Sequence, residues 1–174
     1  MPLKIRTSEI TGGAGLLISI LLSYPEVAAV NYNPQAQVIK LTFVLKRQLT
    51  SFEENQIKAS IEKHLDVFAF LNSSQLVPNI ASVNAISEQG ISLFQIVRDV
   101  NSLSPEEISL IIGVVRRQCQ DMLLLENPTS HIEGDLVKEE LIASMLEMIG
   151  KEERQKKLVA FRHEGKVMVY DQEA

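Results

Sequence analysis

The stretch GAGLLISILLSYPEVAAVNYNPQAQVIKLTF, residues 13–43, decides the fold because it places a helix directly before a β-hairpin. Its first half carries apolar residues at helical spacing, namely Leu16, Leu17, Ile20 and Leu21. Pro25 ends this helix because the residue before a proline is pushed out of the α region. Two extended runs, 27–33 and 38–46, then flank a turn at Asn33-Pro34-Gln35-Ala36, which predicts the hairpin.

Working outward, the flanking residues complete an alternation of strands and helices. Residues 3–7 alternate apolar and polar residues and predict a first strand. Thr50-Ser51-Phe52-Glu53 is a capping box that opens a helix running to about Leu71. The face of this helix expected to contact the sheet consists of Ile57, Ile61, Leu65 and Phe68. Residues 80–87 and 91–100 are predicted to be extended, with a turn between them. The order βαββαβ predicts a ferredoxin-like plait over residues 1–100.

The remaining residues predict two long helices and a second hairpin. Ser104-Pro105-Glu106-Glu107 combines an N-cap serine, a proline at the first helical position and a glutamate at N3. It opens a helix expected over 105–126, and a second helix is expected over 135–156. LVAFRHEGKVMVY then predicts a hairpin that turns at Glu164-Gly165 and joins the edge of the sheet. We therefore expect an α+β chain in which residues 101–174 pack on the plait as one globular unit.

The first part of the chain resembles the heavy-metal-associated domain, a ferredoxin-like plait. In that family a helix ends shortly before a P-x-V-x-x-V turn, and here Pro25, Val27 and Val30 occupy those places. The return strand carries Ile39, Leu41 and Phe43, and the resemblance extends over about residues 3–70. The family's metal site requires a Cys-x-x-Cys loop before the helix, where this chain has TGGAG. The resemblance therefore implies the fold and no metal ligand.

Composition limits the classes of partner. The 174 residues carry a net charge of −5, which argues against a nucleic-acid-binding protein. The stretch from Lys151 to Lys166 is the only locally basic one; it could contact nucleic acid or an acidic partner, but a mixed run of this kind is more often a solvated helix end. The apolar runs are too short to span a bilayer. A single cysteine and no signal peptide at the start of the chain predict a cytoplasmic location.

Two features of the sequence are candidate anion contacts. The glycines of TGGAG stand at a helix start, where backbone amides attract anions, and they are Gly12, Gly13 and Gly15. The stretch nevertheless lacks both the Walker lysine and the third glycine of a dinucleotide fingerprint. The alternative is a structural role in which small residues let the helix approach the sheet. Arg116 and Arg117 could bind a carboxylate or phosphate, or they could lie on a solvated face and pair with nearby acids.

The other reactive side chains predict no catalytic residue, metal site or cofactor. The three histidines, His64, His131 and His163, are too dispersed for a zinc site of known spacing. His64 is expected at the surface, His131 at a helix start and His163 beside a turn. Cys119 continues the apolar stripe of its helix, which is typical of a small buried hydrophobe rather than a nucleophile.

Three functions fit this pattern. The first is a non-enzymatic interaction or regulatory protein that acts as a homodimer, because both C-terminal helices carry apolar residues on more than one side. The residues expected at such an interface are Leu110, Leu124, Leu136, Ile142 and Leu146. The second is a small-molecule or anion sensor that uses the glycines and the paired arginines. The third is an enzyme whose catalytic groups meet only in the fold.

Overall fold

A computed structural model describes residues 12–72, 80–125, 135–151 and 156–172. Within these ranges the chain forms four helices and six strands, which confirms an α+β protein. In chain order they are α1 (Gly12–Ser23), β1 (Ala29–Asn33), β2 (Val38–Leu45), α2 (Ser51–Leu71), β3 (Ile80–Glu88), β4 (Ile91–Asp99), α3 (Pro105–Gln118), α4 (Asp135–Lys151), β5 (Leu158–His163) and β6 (Lys166–Asp171).

All six strands belong to one antiparallel sheet in the order β3-β4-β2-β1-β5-β6. The sheet is assembled from three hairpins, and two of them turn through a pair of residues with positive φ. These pairs are Gln89-Gly90, with φ of 52° and 79°, and Glu164-Gly165, with φ of 49° and 75°. Positive φ at both central residues matches the twist of the flanking strands. Both turns lie where the sequence predicts them, and the C-terminal hairpin joins the sheet through β5 and β1.

The element order is not a clean βαββαβ plait, which corrects that part of the sequence prediction. A plait places its first strand next to the second strand of its first hairpin. Here β4 occupies that position, since Val38–Leu45 pair with Ser92–Asp99 along the whole of β2. A hairpin, β3 with β4, therefore follows α2 where the plait has a single strand. The strand predicted at residues 3–7 lies outside the described residues.

One face of the sheet forms the core. Alternate residues of the central strands have almost no exposed surface, namely Ile39, Leu41 and Phe43 on β2 and Phe94, Ile96 and Arg98 on β4. Because the side chains of a strand alternate between faces, this pattern places the helices on one side and leaves the other face half-buried. The buried residues of the helices and strands form one contiguous cluster.

The four helices are buried to different extents. Helix α1 is buried along most of its length and lies between the β1/β5/β6 side of the sheet and α4. Helix α2 packs against α3 and buries Ile57, Ile61 and Leu65 as predicted. The fourth buried position is Ala69 instead of Phe68, which is half-buried. The buried stripe of α2 therefore ends at Ala69, one residue after the predicted Phe68.

Helix α3 is shorter than predicted and ends at Gln118, with Cys119 as its C-cap. The amides of Met122 and Leu123 donate to the carbonyl of Cys119, which forms a tight turn. Leu123 then bridges to Leu45 at the end of β2, and Leu124 donates its amide to the carbonyl of Val44. Hydrogen bonding to the end of β2 thus replaces the last helical turns that the leucine-rich sequence favours.

Arg162 ties the C-terminal hairpin to the end of α1. Its guanidinium donates to the carbonyls of Pro25 and Val27 at 3.1 and 3.0 Å and also to those of Leu21 and Tyr24. The last carbonyls of a helix have no partner within the helix. One side chain of β5 therefore satisfies the end of α1 and the connection to β1.

Candidate functional site

The glycine-rich stretch lies inside α1 and faces the sheet. Gly12, Gly13 and Gly15 are buried in the first turns of the helix. A Cβ atom at Gly13 would lie 3.2 Å from Leu158 Cδ1 and 3.3 Å from Tyr32 Cδ1. Such distances are tighter than ordinary van der Waals contact, so a side chain here would require Leu158 or Tyr32 to shift by a few tenths of an ångström. This close approach agrees with a structural role for the glycines, in which small residues let the helix lie close to the sheet.

A basic cleft lies where the end of β2 meets the end of α3. Its volume is about 550 Å³. The side chains lining it are Lys46, Arg47, Arg117, Gln118, Cys119, Gln120, Asp121 and Met122. The two segments are held together by the backbone, because the amide of Lys46 donates to the carbonyl of Met122 at 2.7 Å. Of the residues predicted as anion contacts, only Arg117 lines this cleft.

Two cations of the cleft are oriented by neighbouring side chains. Arg47 makes a bidentate ion pair with Glu53, with distances of 2.8 and 2.9 Å. The Arg47 guanidinium holds the pKa of the Glu53 carboxyl below its ordinary value. Glu53 also accepts from the amide of Thr50, so Arg47 is attached to the capping box of α2.

Arg117 is oriented by His64. Arg117 Nη2 lies 3.3 Å from His64 Nε2, and His64 Nδ1 lies 2.7 Å from the carbonyl of Ser60. Since a carbonyl only accepts, Nδ1 carries the proton and Nε2 accepts from Arg117. His64 is half-buried rather than fully at the surface, and it joins α2 to the C-terminal end of α3.

Cys119 is buried at the floor of this cleft, as the sequence predicts. Burial raises the pKa of its thiol from 9.0 to about 11, and the opposing influence of the Arg47 charge is smaller. The thiol is therefore neutral at physiological pH. A neutral buried thiol is a poor nucleophile and adds no negative charge to the cleft.

Arg116, the neighbour of Arg117, points elsewhere. Its guanidinium pairs with Glu26 Oε1, with Nη2 at 2.6 Å and Nε at 2.7 Å. The Glu26 side chain is only 9% exposed, whereas the Arg116 side chain is 54% exposed. The pairing with an acid agrees with the alternative given by the sequence, although Glu26 comes from the α1–β1 connection and not from the same helix. Arg116 and Arg117 therefore belong to different sites.

The most buried ion pair joins β4 to the start of α3. Arg98 Nη2 lies 2.7 Å from Glu107 Oε2, Arg98 Nε donates to the same oxygen, and the two side chains are 0% and 3% exposed. Burial raises the pKa of the Glu107 carboxyl, and the hydrogen bonds and charge of Arg98 offset only part of that rise. Because both side chains are almost fully buried, the pair fits a structural rather than a catalytic role.

An apolar groove runs between α2 and α3 on the outer surface of the molecule. Its volume is about 320 Å³. Its walls are Lys63, His64, Val67, Phe68, Leu71 and Leu110. The wall residue Leu71 is 73% exposed, and Phe70, which precedes it and lies one helical turn after Val67 on α2, is 84% exposed. Large exposed apolar side chains that cluster next to a groove are typical of an interaction surface.

The residues predicted for a dimer interface lie in different environments. Leu110 is half-buried in the α2–α3 groove, and Leu124 is 47% exposed beyond the end of α3. Ile142 is buried in the core, and Leu146 is half-buried against it. The side chain of Leu136 lies outside the described residues. The surface of α4 that is exposed includes Val137 and Met148. Ile142 is therefore covered within the chain, and an interface through the other predicted residues stays a prediction.

Several side chains of the basic C-terminal stretch have structural partners. Lys151 pairs with Glu147 and Lys156 with Asp171, both at the surface. His163 is exposed, while His131 lies outside the described residues. Across the described ranges, no group of three His, Cys, Asp or Glu side chains is arranged to hold a metal ion. Within the same residues, no helix is both long and apolar enough to cross a membrane.

Local sequence patterns do not reveal the whole of the basic cleft or of the apolar groove. Lys46 ends a predicted strand and Arg47 follows it, just before a capping box, so the sequence indicates their charge but not their position beside Arg117. The residues Val67, Phe70 and Leu71 recur at helical spacing on a second side of α2, which is a signal that could have found the groove. No protein-family model matches the chain, and searches of curated proteins and of solved structures also find no match.

Proposed function

We propose that this chain is a non-enzymatic protein-interaction module that acts as a homodimer through the α2–α3 groove. The observation that carries the proposal is the apolar surface formed by the groove and the exposed Phe70 beside it. This surface replaces the α3–α4 surface expected from the sequence, since Ile142 and Ile149 of α4 are already buried within the chain. Leu110, the apolar residue of α3 outside its main stripe, lines the groove.

A second copy of the chain is the partner that this geometry fits. In a two-fold dimer the same patch of both subunits must be complementary to itself. The α2–α3 surface meets that condition because it offers a concave part, lined by Val67 and Leu110, next to a protruding part, Phe70. The ring of Phe70 from each subunit would enter the groove of the other. Burying one phenylalanine side chain stabilises an interface by about 1.5–3 kcal/mol, and a two-fold axis doubles the contribution.

The oligomeric state of the whole chain tests the proposal. Light scattering after size-exclusion chromatography at micromolar concentration should give twice the 19.4 kDa mass of one chain. Phe70→Asp should shift the protein to monomer, because a carboxylate would have to be desolvated in the groove. A wild-type protein that elutes as a clean monomer would contradict the proposal.

Two further variants identify the surface. Phe52→Asp is the matched control, since Phe52 lies on the same helix, is 69% exposed and does not line the groove. This variant should remain a dimer. Leu124→Asp introduces a charge at the end of β2, where the sequence predicts an interface residue. Dissociation by Leu124→Asp but not by Phe70→Asp would move the interface to that end of the molecule.

A further inference from the structure

We propose that the basic cleft between the end of β2 and the end of α3 binds a small phosphate-bearing ligand, with Lys46, Arg47 and Arg117 as the contacts. This site shares no lining residue with the apolar groove, although His64 of the groove contacts Arg117, and it does not depend on dimer formation. It also differs from the anion site expected from the sequence, because the glycines of α1 and Arg116 take no part in it.

The cleft brings cations together from two distant segments of the chain. Lys46 and Arg47 follow β2, whereas Arg117 belongs to the last turn of α3. The backbone bonds from Lys46 to Met122 and from Leu124 to Val44 fix the two segments relative to each other. Backbone hydrogen bonding therefore fixes the segment that carries Lys46 against the segment that follows Arg117. A site whose donors are positioned before binding loses less entropy when the ligand enters.

The charges within the cleft favour an anion. Three cations line it together with one carboxylate, that of Asp121, which leaves a net charge of +2. Glu53 lies outside the lining and neutralises Arg47 in part, so Lys46 and Arg117 supply most of the attraction. Among the described residues, the ammonium of Lys46 has no ion-pair partner, and the contact of Arg117 is to the uncharged acceptor of His64. A local surplus of positive charge is notable in a chain whose net charge is −5.

The arrangement of donors points to phosphate rather than carboxylate. A planar carboxylate is satisfied by one guanidinium fork, as Glu53 is by Arg47. Here an ammonium and a second guanidinium approach from separate segments, which suits the several oxygens of a tetrahedral phosphate. The volume of about 550 Å³ holds a small molecule and is too small for a polynucleotide. The side-chain amide of Gln120 adds a neutral polar group for the rest of the ligand, while that of Gln118 donates to Ser60 Oγ.

Calorimetry with inorganic pyrophosphate tests the site on the full chain at low ionic strength. Wild type should bind, and Lys46→Gln and Arg117→Gln should each weaken binding by roughly ten-fold or more, as expected for the loss of one charge-assisted contact. Lys40→Gln is the matched control, because Lys40 lies in the middle of β2 on the face away from the core. This control should bind as wild type does, and so should Phe70→Asp, whose defect lies in assembly.

Two results would overturn the proposal. One is the absence of pyrophosphate binding by wild type at millimolar concentration. The other is an equal loss of affinity in Lys46→Gln and Lys40→Gln, which would show attraction by overall charge and no defined site. Circular dichroism of each variant confirms that it is folded, and a folded Arg117→Gln protein that still binds like wild type would also contradict the assignment.

Discussion

The two ends of α3 are each tied to the body of the protein by an arginine and a carboxylate, but water reaches only one of them. At the N-terminal end, Glu107 and Arg98 are almost completely buried. At the C-terminal end, Glu26 is buried while the Arg116 that binds it is 54% exposed. The same chemistry therefore has different consequences at the two ends. Removing one partner inside the protein leaves a charge that solvent cannot stabilise, whereas at the surface water replaces the lost contact.

The largest effect is expected at the buried end. Glu107→Ala should lower the free energy of unfolding by about 3–5 kcal/mol, because the Arg98 charge would lose its carboxylate in a place without solvent. Urea denaturation at pH 7 measures this loss. The double variant Arg98→Met, Glu107→Leu should recover most of the stability, since apolar side chains of similar volume often replace a buried pair without loss. A Glu107→Ala protein as stable as wild type would refute the difference between the two ends.

A smaller effect on the free energy of unfolding is expected from Cys119, the C-cap of α3, and it depends on pH. The pKa of the Cys119 thiol is about 11 in the folded protein, whereas in the unfolded chain it has the ordinary value of 9.0. The unfolded state therefore loses its proton first, and stability that is complete below pH 9 falls between pH 9 and 11. The contribution is about 2–3 kcal/mol.

Comparison of two proteins isolates this contribution from other groups that titrate in the same range. Thermal or urea unfolding of wild type and Cys119→Ala should be followed from pH 8 to 11. The stability difference between them should shrink as the pH rises, because only wild type carries the thiol. If the free energies of unfolding of the two proteins change with pH in parallel, burial does not raise the pKa of the Cys119 thiol.

The smallest effect is expected at the exposed arginine. Arg116→Gln should reduce the free energy of unfolding by about 1 kcal/mol, because water reaches the position of the guanidinium and an amide can still donate to Glu26. Added salt should diminish the difference between Arg116→Gln and wild type, since screening weakens exposed pairs most. A loss as large as that of Glu107→Ala would show that burial of one partner is enough to make such a pair essential.

The sequence predicts helix starts and hairpin turns correctly where they depend on residues that are close together in the chain. The capping box at Thr50 and the N-cap at Ser104 each fix a helix start, and both are formed as predicted. Hairpin turns at Gln89-Gly90 and Glu164-Gly165 follow from residues that lie next to each other. Such signals are readable because a cap or a turn uses contacts within a few positions of the chain.

The order of the sheet and the composition of both surfaces were decided by tertiary structure. The sequence predicts that residues 91–100 are extended, but nothing in that pattern states that β4 pairs with β2. Because β4 pairs with β2, the sheet does not have the strand order of the expected plait. The end of α3 was likewise set by backbone hydrogen bonds to the end of β2, from the Leu124 amide to the Val44 carbonyl and from the Lys46 amide to the Met122 carbonyl, against the helical tendency of the leucines.

The sequence by itself determined the class of the protein, its helix starts, its hairpins and the burial of Cys119, because each follows from local spacing or from a single apolar stripe. Only the tertiary structure decided that Arg116 and Arg117 belong to different sites, that Lys46 lies beside Arg117, and that Arg98 meets Glu107 inside the core. These contacts join segments that are separated along the chain. Their partners depend on how strands and helices pack, and no local pattern of residues encodes that packing.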